Sequence, residues 1–190
     1  MQWRLRIIVG AISIAALAAI ILGVWTMRQM RAPQPVDIPT WASTVCGATA
    51  TFGETLVRVR DSVDPSTLDL AARKARAARI GKVELEASKR FAADLDAVRP
   101  PDAVTAYHAA LLASANEYAK TTEEQLDVVA KAANAQQIAV ANASARFRLS
   151  GADQNVAAAG NNLPPAALAA LRDEPKCGPS RPGAPPTPGV

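Results

Sequence analysis

The sequence is poor in the residues that usually build metal centres and stapled mini-domains. Its 190 residues include two cysteines, one histidine and 4% aromatic residues. Two cysteines allow at most one internal bridge, which excludes a disulfide-dense fold. They also leave the chain short of the four ligands of a structural zinc site. A β-sandwich is disfavoured as well, because 42 residues are alanine, which is depleted in strands.

Acidic residues are missing from the beginning of the chain, where the first one is Asp37. Four arginines precede it, at positions 4, 6, 28 and 31. Since the chain has 21 basic and 17 acidic residues in total, positions 32–190 carry 17 of each. The formal charge of +4 therefore belongs to the flanks of the first apolar segment. This distribution argues against nucleic acid as a partner.

Recognisable catalytic motifs are also absent. The sequence contains no nucleophile elbow, phosphate-binding loop, zinc-protease motif or dinucleotide fingerprint. The single histidine, His108, lies in an alanine-rich helical stretch, and we expect it to be a packed or solvated side chain rather than a catalytic group. The sequence thus predicts a protein that is not an enzyme and that binds no metal or cofactor.

The apolar run Ile7–Met27 carries no charge over 21 residues. As a helix it would measure about 31 Å, which matches a hydrocarbon core of about 30 Å. Trp3 and Trp25 stand at its two ends, where indole rings favour the membrane interface. The alternative is a cleaved signal peptide, but the run is longer than a typical signal core and no small-x-small cleavage site follows. We therefore expect an uncleaved transmembrane anchor over residues 1–31.

Two further expectations concern this anchor. Its flanking arginines are balanced, so the amino terminus and the Pro-rich, cysteine-containing remainder favour a cytoplasmic N-terminus and an exported C-terminal domain in the cytoplasmic membrane. Small residues recur every fourth position along it, at Ala11, Ala15, Ala19 and Gly23. Such a row allows close helix packing within a membrane, although an alanine-rich span also produces one by chance.

Past the anchor, the pattern predicts an all-α, up-down bundle of about four helices plus a short final helix, over residues 40–177. A Pro-rich linker, 32–39, precedes it, and a disordered Pro-rich tail, 178–190, follows it. Four helix starts are expected, at Trp41 after a Thr40 cap, at Asp64-Pro65, at Asp102, and at Leu163-Pro164-Pro165. Between Asp102 and Ser150 a reversal is expected at Lys131–Gln136, with Thr121–Glu124 as the rival position.

The two cysteines lie 131 positions apart and bracket the predicted bundle. In an up-down bundle Cys46 and Cys177 would meet at one pole, where a disulfide would close the domain. A disulfide requires an oxidising compartment, which agrees with an exported domain. The alternative is a pair of free, buried thiols in a cytosolic protein.

The order of several short motifs resembles that of small, alanine-rich, envelope-anchored helical proteins of actinobacteria, including mycobacteria. These motifs are Trp41-Ala42-Ser43-Thr44-Val45-Cys46, Arg99-Pro100-Pro101-Asp102, Leu163-Pro164-Pro165 and Glu174-Pro175-Lys176-Cys177. The resemblance implies a disulfide-closed helical bundle outside the cytoplasmic membrane, and it implies no activity. Many of those proteins carry a lipid on a cysteine, whereas this chain has a predicted transmembrane helix.

One charged cluster marks a candidate partner surface. Five basic residues fall close together on the predicted second helix: Arg73, Lys74, Arg76, Arg79 and Lys82. They would suit an acidic partner, or they form an ordinary solvated face. The sequence thus favours a non-enzymatic envelope protein that binds another envelope protein or itself. The alternative is a bundle that holds a lipid or small ligand between its helices.

Overall fold

The computed structural model describes residues 34–59 and 67–177, which form helices and connecting turns and contain no strand. We number the helices in chain order: α1 is Ile38–Val59, α2 is Leu70–Asp96, α3 is Thr105–Lys131, α4 is Ala135–Gly160 and α5 is Pro165–Asp173. A 3₁₀ turn, Asp102–Val104, leads into α3. The all-α prediction is confirmed for this part of the chain.

The start of α1 is set by Asp37 rather than by the predicted cap, Thr40. A carboxylate oxygen of Asp37 accepts a hydrogen bond from the backbone N–H of Thr40 at 2.8 Å. This is the N-cap arrangement, which satisfies one of the free N–H groups of the first turn. Hydrogen bonding from Thr40 also lowers the pKa of Asp37. As a result, Ile38 and Pro39 belong to the helix and not to the linker.

The start of α2 lies five residues later than the predicted first helical residue, Pro65. Its cap is Asp69, whose carboxylate accepts from the backbone N–H of Ala72 at 2.7 Å. The other end agrees with the prediction, because α2 stops at Asp96, just before Arg99-Pro100-Pro101. Here the backbone N–H of Val36 donates to the carbonyl of Arg99, which ties the segment before α1 to the α2–α3 connection.

The reversal between α3 and α4 lies where the sequence predicted it. Helix α3 ends at Lys131, and Asn134 caps α4 by accepting from the backbone N–H of Gln137 at 3.0 Å. The rival position, Thr121–Glu124, is wrong, because these residues lie inside α3. The short final helix is confirmed as α5, with Pro165 in its first turn.

Long-range contacts show that successive long helices run in opposite directions. Between α2 and α3, the ammonium of Lys74 donates to the carbonyl of Ala130, while His108 meets the carbonyl of Leu95. The residue number on α3 falls as the residue number on α2 rises, which is the pattern of an antiparallel pair. Between α1 and α3 the order is parallel, because Trp41 contacts Tyr107 and Phe52 contacts Tyr118. This is the predicted up-down arrangement.

The main core lies between the first half of α1, the second half of α2 and the first half of α3. Helix α5 adds Ala167 to this core and contacts α1, so α5, rather than the fourth long helix, packs beside the first. The buried core residues include Trp41, Val45, Phe91, Leu95, Val104, Tyr107, Leu111, Leu163 and Ala167. A smaller cluster at the opposite end joins α3 to α4 through Val129, Ala132 and Ile138.

A glycine allows α2 and α3 to approach closely in the middle of the bundle. A Cβ atom added to Gly81 would lie 2.8 Å from a terminal methyl of Leu126. No real carbon pair packs at that distance, so a side chain at this position would push α3 away or displace Leu126.

Several sequence predictions concern residues outside the described ranges. The anchor, its small-residue row Ala11, Ala15, Ala19 and Gly23, and the tail 178–190 all lie there. No helix within 34–59 and 67–177 is long and apolar enough to cross a membrane. The chain divides between Gln34 and Pro35 into two units, and the helices described above belong to the second.

Candidate interaction surface

The predicted bridge between the two cysteines is present. Cys46 is fully buried in the first half of α1, and it is bonded to Cys177 in the turn after α5, with a Cα–Cα distance of 5.1 Å. The alternative of two free thiols is therefore wrong. The backbone N–H of Cys177 donates to the carbonyl of Glu174, which orders the turn that carries it. The bridge fixes α1 and the end of α5 to each other.

The only histidine is part of the core. His108 is 5% exposed, and its two ring nitrogens contact the indole N–H of Trp41 at 3.2 Å and the carbonyl of Leu95 at 3.1 Å. An indole N–H can only donate, so Nδ1 of His108 accepts and Nε2–H donates to Leu95. The ring is thus neutral and joins α1, α2 and α3. This confirms the packed interpretation of His108.

Burial lowers the pKa of His108, although the carbonyl of Leu95 and the charge of Asp96 oppose this in part. An unfolded chain therefore takes up the proton first as the pH falls, below its ordinary pKa of about 6.5. The stability that neutral His108 contributes should be complete above about pH 6.5 and decrease as the pH falls through the lowered folded-state pKa. Thermal unfolding of the wild type and of a His108→Gln variant, followed by circular dichroism between pH 8 and 5, checks this. The wild-type midpoint should fall more steeply with acid, and parallel curves would contradict the assignment.

The predicted basic surface on α2 is partly occupied by contacts within the fold. Arg73 donates from Nε to the carbonyl of Leu68, and Lys74 donates across to the carbonyl of Ala130 at the end of α3. Arg76 is half-buried, while Arg79 and Lys82 are exposed. Lys74 therefore joins α2 to the end of α3, and Arg73 is tied to the turn before its own helix. The cluster does not form a single free basic patch.

The inner face of α4 is joined to α3 by polar contacts. Arg148 binds Glu117 through Nε and Nη2, at 3.1 and 2.6 Å, and binds Glu124 through Nη1. Hydrogen bonds from Arg148 lower the pKa of Glu117, and the two carboxylates raise the pKa of Arg148. The hydroxyl of Tyr118 donates to Asp153, whose pKa is raised by burial. This face therefore packs against α3, and its residues Ile138 and Ala145 are buried.

The outer face of α4 is uncharged, carries two large apolar side chains and is uncovered within the described part of the chain. Phe147 is 81% exposed and Val140 is 59% exposed. Six exposed residues, none of them charged, follow one another at spacings of four and three: Val140, Ser144, Phe147, Gly151, Gln154 and Ala158. At about 100° per residue they occupy an arc of about 80° on the helix. We call these six residues the α4 stripe.

Open grooves between the described helices include the following two. One lies between α3 and α4, measures about 680 Å³, and is lined on its α3 side by Val128 and Lys131 and on its α4 side by Val140 and Ser144. The other lies between α1 and α2, measures about 530 Å³, and has Phe52 and Phe91 stacked in its floor. Within the described residues no cluster of histidine, cysteine, aspartate or glutamate is arranged to hold a metal ion.

Comparison with known proteins does not place the chain. No protein-family model, no curated protein and no solved structure matches it. Function must therefore be inferred from the surface of the bundle.

Proposed function

We propose that this chain is a non-enzymatic, single-pass protein of the cell envelope, with a cytoplasmic N-terminus and an exported bundle that binds a protein partner through the α4 stripe. The observation that carries the proposal is the exposure of Phe147, at 81% the most exposed of the large hydrophobic side chains within residues 34–59 and 67–177. An exposed aromatic ring on an uncharged helix face of this kind is typical of an interaction site, where aromatic side chains are enriched. An accessory or structural role follows from a domain that offers a surface rather than a reactive centre.

The proposed location rests on two independent features. The uncharged run Ile7–Met27 has the length of a membrane span. The bridge between Cys46 and Cys177 persists where the compartment is oxidising, and such bridges are rare in the cytosol. Together they support a domain held outside the cytoplasmic membrane.

The packing around α4 supports the choice of surface. Arg148 joins the inner face of α4 to α3, and Ile138 and Ala145 are buried on that face. The α4 stripe is therefore not needed to hold the bundle together. A helix with apolar residues on two opposite faces normally has a neighbour on both. Here α3 covers one face, which leaves the stripe for a partner.

Binding of a lipid or other small ligand is the second candidate, favoured by the groove between α3 and α4. Its volume of about 680 Å³ falls within the range of ligand sites. Phe147 does not line this groove. Changes at Phe147 therefore distinguish the two functions, because a ligand in the groove would not require its ring.

A Phe147→Glu variant should lose the partner and keep its fold. In intact cells treated with a membrane-impermeant amine crosslinker, the wild type should form adducts with another polypeptide chain. Phe147→Glu should reduce these adducts at least about tenfold, because a buried, unpaired carboxylate costs more than 1.4 kcal/mol. The thermal midpoint should be unchanged, since the side chain makes no buried contact in the bundle.

Val57→Glu is the matched control, because Val57 is also exposed, at 56%, but lies on α1 away from the stripe. It should leave the adducts intact. Adducts that form only with a permeant crosslinker would contradict the proposed location. Equal adducts from Phe147→Glu and the wild type would contradict the proposed surface.

A further inference from the structure

The α4 stripe is complementary to itself when it is reversed. Positions equally far from Leu149 along the helix pair a larger side chain with a small one, or two polar side chains: Phe147 with Gly151, Val140 with Ala158, and Ser144 with Gln154. If two α4 helices pack antiparallel about a two-fold axis that crosses the stripe at the level of Leu149, these are the residues that face each other across the contact. Two-fold pairing of one surface with itself is the commonest form of protein self-association.

Gly151 is the position that the fold itself does not explain. It lies inside α4, where glycine lowers helix stability by about 1 kcal/mol relative to alanine. A Cβ atom added to it would meet nothing within 4 Å, so no neighbour in the bundle requires its small size. It lies one turn from Phe147 on the same exposed stripe. A second α4 would place a phenylalanine ring over this gap, which gives the glycine a packing role.

The alternative parallel pairing is poorer on the same grounds. It would set Phe147 against Phe147 and Gly151 against Gly151, which crowds one level of the contact and leaves a void at the next. Protein interfaces pack as densely as protein interiors, so voids and overlaps both weaken them. The reversed register avoids both.

Charge also favours a second copy of the chain over a charged partner. The three charged residues of α4 are Arg146, Arg148 and Asp153, and all lie off the stripe. Arg148, the nearest of them, is paired with Glu117 and Glu124 on α3. Two copies can therefore meet along the stripe without an unpaired charge between them. A partner with a charged surface would find no opposite charge there.

On these grounds we infer that α4 pairs antiparallel with α4 of a second copy of this chain, with Phe147 of each copy over Gly151 of the other. This inference rests on the proposed function and names its partner. The stripe spans 19 residues, or about 28 Å of helix. Such a contact buries on the order of 1,000 Å² in total, near the lower end of specific interfaces, and gives a reversible dimer.

Cysteine crosslinking in the full chain, in mild detergent, tests the register. Ser144 and Gln154 are exposed, so a cysteine at either position leaves the bundle intact. A mixture of S144C and Q154C chains, oxidised with copper phenanthroline, should give a crosslinked dimer, because these positions face each other. Each variant alone should not, because its two copies lie about 15 Å apart along the helices, beyond the reach of a disulfide.

The expected result is at least about fivefold more dimer in the mixture than in either variant alone, since bridging requires Cα atoms within about 7 Å. Introducing Phe147→Glu into both chains should reduce the mixed dimer to the level of the single variants. A mixture of S144C and V57C, whose second thiol lies on α1, is the off-surface control and should give none. Self-association through other segments of the chain would not produce this dependence on position.

Two outcomes would overturn the inference. A mixture that crosslinks no better than the single variants excludes the antiparallel contact, and stronger dimers from S144C alone would show parallel pairing instead. Failure here is distinct from failure of the proposed function. If the mixed dimer is absent while Phe147→Glu still abolishes adducts in cells, the stripe binds a different protein.

Discussion

Replacing Cys46 and Cys177 together by alanine should lower the free energy of unfolding by about 5 kcal/mol. The two residues lie 131 positions apart, and in the chain-entropy model a bridge across that separation removes about this much free energy from the folding cost. This is a large share of the stability of such a domain, because its core is rich in alanine, which buries little area per residue. For a domain of this size, it corresponds to a fall of roughly 10–20 °C in the thermal midpoint.

Circular dichroism of the full chain during heating measures this change. Reductant should lower the wild-type midpoint to that of the double variant, and it should leave the double variant unchanged. That second measurement controls for any other effect of the reductant, and the comparison of the reduced wild type with the double variant separates loss of the bridge from a packing defect at the buried Cys46 position. A wild-type midpoint that does not respond to reductant, once alkylation has shown both thiols to be free, would contradict the expected role of the bridge.

Trp41→Ala should cost a comparable 3–5 kcal/mol, the range for removal of a large buried aromatic side chain. Trp41 is fully buried, packs edge-on against Tyr107 at 6.1 Å between ring centroids, and donates its indole N–H to His108. Its removal would leave a cavity between α1 and α3. It would also leave Nδ1 of His108 without its donor, and a buried acceptor without a partner is unfavourable.

Trp41→Phe separates the two contributions. It keeps most of the buried volume but removes the hydrogen bond, so its cost should be about 1–3 kcal/mol and clearly less than that of the alanine variant. Urea unfolding monitored by circular dichroism measures both. If the two variants were equally destabilised, the hydrogen bond rather than the packing would dominate, contrary to this expectation.

The helix boundaries that the sequence predicted well are those fixed by local chemistry. Arg99-Pro100-Pro101 ends α2 because proline cannot continue a helix, and Asn134 begins α4 because its side chain caps the first turn. Two starts were misplaced because several acidic or hydroxyl residues compete within a few positions. In the structure Asp37, not Thr40, caps the first turn of α1. Asp69 caps α2, although Asp64-Pro65 carries the stronger local signal for a helix start.

The two apolar faces of α4 can be separated from the sequence alone. Ile138 and Val140 are two residues apart, which places them about 200° apart on a helix. They cannot both face the core. Val140 and Phe147, seven residues apart, share a face, and that face is the exposed one. Periodicity thus separates the two faces, but only contacts with α3 show which of them is buried.

The Trp41–His108–Leu95 chain of contacts could not have been predicted in the same way. Trp41 and His108 are separated by 67 positions, and nothing in their local sequences links them. The basic cluster shows the converse problem, because its spacing is visible in the sequence while the use of Lys74 to hold α3 is not. Long-range pairing depends on the relative placement of helices, which composition and spacing leave open.

The bond between Cys46 and Cys177 also determines how the domain would respond to a pulling force. Tension applied between the N-terminal segment and the C-terminal tail would run along α1 only from Ile38 to Cys46, cross the sulfur–sulfur bond and leave at Cys177. The residues between the two cysteines form a closed loop outside this load path. Residues 47–176 would therefore carry no tension while the bond holds, and only residues 38–46, which include the core residues Trp41 and Val45, would be loaded directly. The bond thus carries the force past these residues. The α4 stripe, which lies among them, would stay exposed for binding while the chain is under tension.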